Sequence, residues 1–261
     1  MSDQPTDAAV HTTDEGLRYL LDATGAPVGL PVTGWTPREP VRPTVLEGRY
    51  CRLEAWDRAR HADALFASLH TGTPQETAVR WTYIPVGPFE DAAGLADWLD
   101  AWGSTPGTRA LVLVVTGGGE DRVEGTASYL RTDTANGTVE VGAIVYSAAL
   151  QRSRAATEAM YLMARHAVVD LGYRRYEWKC DALNAPSRSA ALRLGFTFEG
   201  LWRQAVLYKG RNRDTAWFAF TDDDFAALAP AYEGWLDAAN FDDAGRQRTS
   251  LSALTRAALP R

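Results

Sequence analysis

The sequence predicts an α/β fold, a mixed and mainly antiparallel central sheet flanked by helices. Three observations predict it. Strand-like runs at 110–115, 123–131 and 138–146 follow one another with only turn-forming connections, Gly117-Gly118-Gly119 and Asn136-Gly137. Asn and Gly tolerate the positive φ of a tight hairpin, so these runs read as an antiparallel meander. A helical stripe, Met160, Met163, Ala164, Ala167, Val168 and Leu171, then leads into another strand, the arrangement of one parallel crossover. Finally, 261 residues with 46% hydrophobic side chains suffice for a real core, in one large domain or two small ones.

The elements follow in order. Residues 1–46 read as an extension. Pro27, Pro31, Pro37, Pro40 and Pro43 fix φ and remove donors, so the segment is expected to run extended. Arg49 to Glu54 reads as a strand. Ala62, Leu65, Phe66 and Leu69 mark one face of a helix, and Leu95, Trp98, Leu99 and Trp102 recur at i, i+3, i+4, i+7 in a second. The aromatic stretch 81–85 lies between them. After the meander, the Met160 helix stops at Gly172. Tyr176, Trp178 and Cys180 alternate against Arg175, Glu177 and Lys179 in a strand. Pro186, Ala190, Ala191 and Leu194 outline a short helix ended by Gly195. Strands at 196–203 and 215–221 precede a last helix carrying Phe225, Leu228, Tyr232, Trp235 and Leu236. Residues beyond about 240 read as a polar tail. The expected organisation is a domain over 47–221, an extension at 1–46, and a C-terminal helix and tail over 222–261.

The formal charge of −6 argues against a nucleic-acid-coating protein. Its distribution is uneven. Residues 151–213 carry 12 Lys/Arg against 5 Asp/Glu, a net +7, which leaves −13 on the rest. The basic third is either a site for a local anionic ligand or a set of solvated arginines. Cys51 and Cys180 are too few for a disulfide scaffold, and the four histidines are scattered, with no metal-ligand spacing. The N-terminus, MSDQPTDAAV, is acidic and polar, and no apolar run approaches the roughly 20 residues of a membrane span. A soluble cytoplasmic protein without metal, membrane or nucleic-acid partner is expected.

The chemistry concentrates in 139–196. A strand ending near Tyr146 is followed by Gln151-Arg152-Ser153-Arg154 and then by the small residues Ala155, Ala156 and Thr157, which open a helix. The first N–H groups of a helix lack internal partners and carry partial positive charge. Small residues let an anion approach them, and two arginines add full charge, a pattern suited to a phosphate or pyrophosphate. Neither GxxxxGK[ST] nor GxGxxG is present.

At this point the chain resembles the GCN5-related N-acetyltransferase (GNAT) family, whose pyrophosphate motif is Gln/Arg-x-x-Gly-x-Gly/Ala. Here it reads Gln151-Arg152-Ser153-Arg154-Ala155-Ala156, with Arg154 where the family has Gly. Asn184-Ala185-Pro186-Ser187, Leu194-Gly195-Phe196 and Glu199-Gly200 resemble the signature of the Rim-type branch, which includes acetyltransferases of ribosomal-protein N-termini. Glu140 before Gly142 is similar to its Glu-x-Gly strand. The resemblance spans roughly 47–221.

It implies a GNAT-like fold and acetyl-coenzyme A (acetyl-CoA) as cosubstrate. Gln151, Arg152, Ser153, Arg154, Ala155, Ala156 and Thr157 would hold the pyrophosphate. Arg152 and Arg193 would meet the 3′-phosphate. The pantetheine would pair along Ile144, Val145 and Tyr146, with Asn184 orienting it. Acetylation of an amine needs a neutral nucleophile, a polarised carbonyl and a proton for the thiolate. A lysine-like amine costs about 4–5 kcal/mol to deprotonate at pH 7, an α-amine only about 1. Glu140 is the candidate base, or else a glutamate of a surface hairpin. Ser187 is the candidate acid, or else, with Asn184, part of a helix cap. Tyr208 is a fallback acid. Trp81 and Tyr83 stand where the branch builds an acceptor wall, and packing is the competing reading. Cys180 reads as a buried thiol. The expected activity is acetyl transfer to a primary amine, of a protein or peptide N-terminus or of a small molecule. The alternative is a non-catalytic acyl-CoA-binding regulator, for which Arg154 in place of Gly leaves room. A homodimer is implied by the resemblance alone.

Overall fold

The structure, a computed structural model, describes residues 9–14 and 16–260. The chain divides into two units, 1–36 and 37–261. In the first, β1 (His11–Thr12), β2 (Arg18–Leu21) and β3 (Pro27–Gly29) form a small antiparallel sheet. The turn between β2 and β3 is organised by Asp22, whose Oδ1 accepts from the Thr24 and Ala26 N–H groups and the Thr24 hydroxyl. This part of the extension is therefore hairpin rather than simply extended.

The second unit begins with the proline-rich run that carries buried Val41, pinned where the Tyr173 hydroxyl donates to Glu39 O and Arg109 to Pro43 O. Then come β4 (Val45–Glu47), β5 (Cys51–Ala55), α1 (Arg58–Leu69), α2 (Pro74–Arg80), α3 (Ala92–Gly103), β6 (Arg109–Val115), β7 (Arg122–Asp133) and β8 (Thr138–Tyr146). The helix α4 (Arg154–Arg165), with a π-turn over His166–Asp170, leads to β9 (Arg175–Asp181). The chain continues through α5 (Ala185–Arg193), β10 (Thr197–Tyr208), β11 (Arg211–Thr221), α6 (Asp222–Leu236) and α7 (Leu251–Ala258). The expected fold class holds: one eight-stranded sheet, order β10-β11-β9-β8-β7-β6-β5-β4, antiparallel except for the parallel pair β8 and β9. No helix among the described residues is long and apolar enough to cross a membrane.

Alternate residues of β6 serve two cores. Leu111 and Leu113 join the cluster under α4 and α6, while Ala110, Val112 and Val114 join the cluster under α1 and α3. The segment read as a polar tail contains α7. Ser250 caps it, and Leu251 and Thr255 are buried, so two inward residues suffice where no long apolar stripe exists. Gly195 ends α5 at φ +86°, and a Cβ there would lie 2.5 Å from Leu228 Cδ2, so both backbone and packing require glycine.

Two features position the site. First, α4 is tied down by Glu158, whose carboxylate accepts the N–H groups of Arg49, Tyr50 and Cys51 at 2.8, 2.6 and 2.9 Å. Gly48 leaves room for it, since a Cβ would stand 2.5 Å from Oε2. Second, β8 carries a bulge. Ala143 adopts φ +49°, and the register with β7 slips between Thr126 and Ser128. On the other side, β9 pairs with β8 only from Thr138 to Val141, so the two strands part beyond that point.

Candidate functional site

A cleft of about 1180 Å³ opens where β8 and β9 part, floored by the start of α4. The sequence-selected residues Ile144, Val145, Tyr146, Gln151, Arg152, Ser153, Arg154, Ala156, Thr157, Asn184 and Arg193 all line it. Ala155 does not, being buried in the core. Ser153 is the N-cap of α4, its Oγ accepting the Ala156 N–H at 3.0 Å, as the local sequence dictates. Arg152 bends the chain into the helix at φ +59°. Among the described residues no carboxylate pairs with Arg152, Arg154 or Arg193. Arg154 lies 4.1 Å from the Phe241 ring centre and 5.3 Å from that of Tyr50. Arg193 donates to Thr157 Oγ1 at 3.1 Å and lies 4.9 Å from the Trp235 ring centre. Burial holds Arg193 below the usual guanidinium range.

A second cavity of about 460 Å³ adjoins the first, and Ile144, Trp178, Asn184 and Ser187 line both. Asn184 caps α5, its Oδ1 accepting the Ser187 N–H at 3.1 Å. The Ser187 hydroxyl accepts from Trp178 Nε1 at 3.0 Å. Serine and asparagine are thus both a helix cap and the junction of the two spaces.

Glu140 lines the second cavity and is buried. Its Oε2 takes every ion-pair contact, from Arg131 at 2.5 Å and Lys179 at 3.0 Å. Its Oε1 lies toward Gly142, 3.2 Å from where a Cβ would be. Lys179 also bonds Glu177, which bonds Arg175, which bonds Glu199, an alternating ladder along one sheet face. Tyr83 lines the cavity and donates to Leu183 O. Trp81 is not brought there. It is fully buried between Phe89 and Trp98, packing rather than wall. Tyr208 lines neither space, and its hydroxyl donates to Asp181 Oδ2. Burial raises the Cys180 thiol, which is no thiolate at neutral pH.

Sequence reasoning missed two groups. Asp181, Trp202 and Trp217 line the second cavity, but local alternation marks them only as strand residues. Trp235, Phe241 and Gln247 line the first from the C-terminal segment. The aromatic pair Trp235 and Phe241 in an otherwise polar stretch was the available signal.

A basic helix start, a parted strand edge and a second cavity meeting at a Ser/Asn junction make a two-chambered cleft suited to an extended, phosphate-bearing ligand and a second small reactant. The comparisons agree. A family model described as an acetyltransferase (GNAT) domain matches residues 51–197. A GCN5-related N-acetyltransferase from Brucella melitensis is 39% identical, with TM-score 0.81, covering 86% of this chain and 99% of its own. A probable GNAT-family acetyltransferase from Chromobacterium violaceum is 37% identical, with TM-score 0.70, covering 77% and 98%. The ribosomal L7/L12 acetyltransferase RimL, solved with coenzyme A, shares the fold at 16% identity and TM-score 0.55, covering 68% and 97%. No curated protein matches. The chain belongs to the GNAT acetyltransferase family. It is an N-acetyltransferase with acetyl-CoA as cosubstrate. The arginines that meet no carboxylate and the capped helix start fit that cosubstrate's phosphates.

Proposed function

We propose that this enzyme moves the acetyl group of acetyl-CoA directly to a primary amine, in the manner of the Rim-type branch. The observation that carries the reading is the meeting of the two cavities at Ile144, Trp178, Asn184 and Ser187. Bound acetyl-CoA supplies an activated thioester. The start of α4, with Gln151 to Thr157, binds its pyrophosphate, and the free edge of β8 from Ile144 to Tyr146 aligns the pantetheine. Asn184 orients the arm at the junction. The amine enters from the second cavity, along Tyr83 and its aromatic neighbours.

The amine nitrogen attacks the carbonyl carbon, the C–S bond breaks, and the thiolate leaves. Glu140, anchored through Oε2, uses Oε1 to take the proton lost by the amine, directly or through water. The Ser187 oxygen already accepts from Trp178, so the hydroxyl keeps its own hydrogen to donate to the thiolate. An acceptor with a low amine pKa, an α-amine, asks least of this machinery.

The acceptor is a protein or peptide N-terminus or a small amine. Release of free coenzyme A across a panel of both kinds tests this, with turnover on at least one α-amine expected. Tight coenzyme A binding without turnover on any amine would instead identify a regulator. A cytoplasmic homodimer belongs to the same proposal. Two free buried cysteines favour a reducing compartment. The edge strand β10, with Leu201, Trp202 and Leu207 exposed, favours a second copy, which light scattering of the purified protein would detect.

A further inference from the structure

We propose that the second cavity reads a carboxylate on the acceptor through Arg213, so that the amine acetylated there is a small aromatic one that also bears a carboxylate. The proposal rests on acetyl transfer to an amine in that cavity.

Five charged residues line the cavity: Arg131, Glu140, Lys179, Asp181 and Arg213. Glu140 is met by Arg131 and Lys179, and Lys179 also meets Glu177. Asp181 accepts from the Tyr208 hydroxyl and the Leu183 N–H. Asp214, next to Arg213 in the chain, accepts from the Gln204 N–H and from Asn212 Nδ2. Arg213 is the lining cation that meets no carboxylate among the described residues. Three cations against two carboxylates leave the wall one positive charge in excess.

The strand explains where that charge stands. Arg213, Thr215 and Trp217 alternate along β11, and all three line the cavity. Arg213 Nε donates to Thr215 Oγ1 at 3.1 Å, which ties the side chain to the strand. Its Nη1 and Nη2 make no hydrogen bond among the described residues. A half-buried guanidinium with one neutral hydroxyl for a partner carries an uncompensated desolvation cost, which an incoming anion removes. Its planar fork matches the two oxygens of a carboxylate, and one charge suits a monoanion better than a phosphate dianion. Holding the carboxylate at Arg213 also keeps it off Glu140, which has to receive the amine.

The body of the acceptor follows from the other walls. Five of the nine tryptophans line this cavity: Trp98, Trp102, Trp178, Trp202 and Trp217. Trp102 Nε1 donates to Ser128 Oγ and Trp178 Nε1 to Ser187 Oγ, so these rings are held in place. Fixed indole faces around about 460 Å³ suit a single aromatic ring better than a length of peptide.

Initial rates with matched acceptors test it. The pairs are phenylalanine with its amide, and alanyl-phenylalanine with its amide, which sets the carboxylate one residue further from the amine. For each pair, the preference for acid over amide in the wild type is divided by that in Arg213→Gln, so that the differing basicity of the amines cancels. A quotient of at least about tenfold is expected for one pair or both, the scale of one charge-assisted contact. The KM for acetyl-CoA should stay within about twofold, because Arg213 lines the second cavity and not the first. Arg213→Lys keeps the charge without the fork and should fall between. If Arg213→Gln does not fold, the wild type decides the matter. There 3-phenylpropionate, with ring and carboxylate but no amine, should compete with the acceptor at least about tenfold better than 3-phenylpropanamide. Quotients near one for both pairs overturn the proposal, as do equal inhibition by acid and amide, or turnover confined to neutral amines. If no primary amine of any kind is acetylated, the acetyl-transfer reading itself fails. Turnover without preference for a carboxylate removes the role of Arg213 alone.

Discussion

The Tyr208 hydroxyl donates to Asp181 Oδ2 at 2.7 Å, and both side chains are buried. Burial first, then this bond, pushes Tyr208 up to about 12. Its proton is directed at Asp181, whose Oδ1 accepts the Leu183 N–H at 2.8 Å, and so holds the end of β9 beside the junction. Tyr208→Phe leaves Oδ2 a donor short and should cost about 1.5–3 kcal/mol, read as a lower urea midpoint at unchanged slope. The raised value fixes the pH sign. The stabilisation is complete below about 10, the unfolded value, and is lost as pH rises through about 12. The stability gap between wild type and variant should therefore be flat from pH 6 to about 9 and close at higher pH. Turnover should fall less than in Ser187→Ala.

Glu158 is the anchor that sets the height of the α4 start. Its carboxylate meets three backbone N–H groups, and no side-chain cation replaces any of them. Glu158→Ala strands three donors and should cost at least about 3 kcal/mol, a fall in Tm of about 6–12 °C for a chain of this size. Glu158→Gln keeps one acceptor oxygen and should lie between. Calorimetric scans of the three proteins check the order.

Much of the cleft was legible because its parts are local. Ser153 caps the helix that its own sequence begins, and Asn184 and Ser187 sit one turn apart. The parallel step from β8 to β9 followed from the helical stripe between them. What escaped depends on distant pairing. Glu140 reads in sequence as a base or as a surface-hairpin glutamate, yet the strand pairing buries it between Arg131 and Lys179. Trp81 lay in an aromatic stretch that sequence alone leaves open between wall and core, and burial decides it. Phe241 stands 87 positions from Arg154, so only the folded chain joins them.

Ala143 lies just past the last β8–β9 pair, at Val141, in a conformation that costs a side-chain-bearing residue about 1–2 kcal/mol. Glycine has no such cost but gives back about 0.5–1 kcal/mol in chain entropy. Ala143→Gly should thus change stability by about 0 to +1.5 kcal/mol and leave the KM for acetyl-CoA intact. Ala143→Val cannot adopt this φ readily. It should lose stability and, by straightening the strand along which the pantetheine is proposed to pair, raise that KM. Denaturant midpoints and initial rates on the two variants separate the cases.

The hydrogen bond from Trp178 Nε1 to Ser187 Oγ yields the sharpest kinetic test. Ser187→Ala leaves the helix cap in place, because Asn184 bonds the backbone N–H of residue 187 and not the hydroxyl. The fold and the cosubstrate site should therefore survive, with the KM for acetyl-CoA little changed. If the hydroxyl protonates the departing thiolate, kcat should fall about 10²–10⁴-fold, the range of a lost general acid. Trp178→Phe removes the donor that orients the hydroxyl but keeps the hydroxyl itself, so its kcat should fall by less. A Ser187→Ala enzyme with wild-type kcat would move the acid role to solvent, and the order of the two variants would then carry no kinetic meaning.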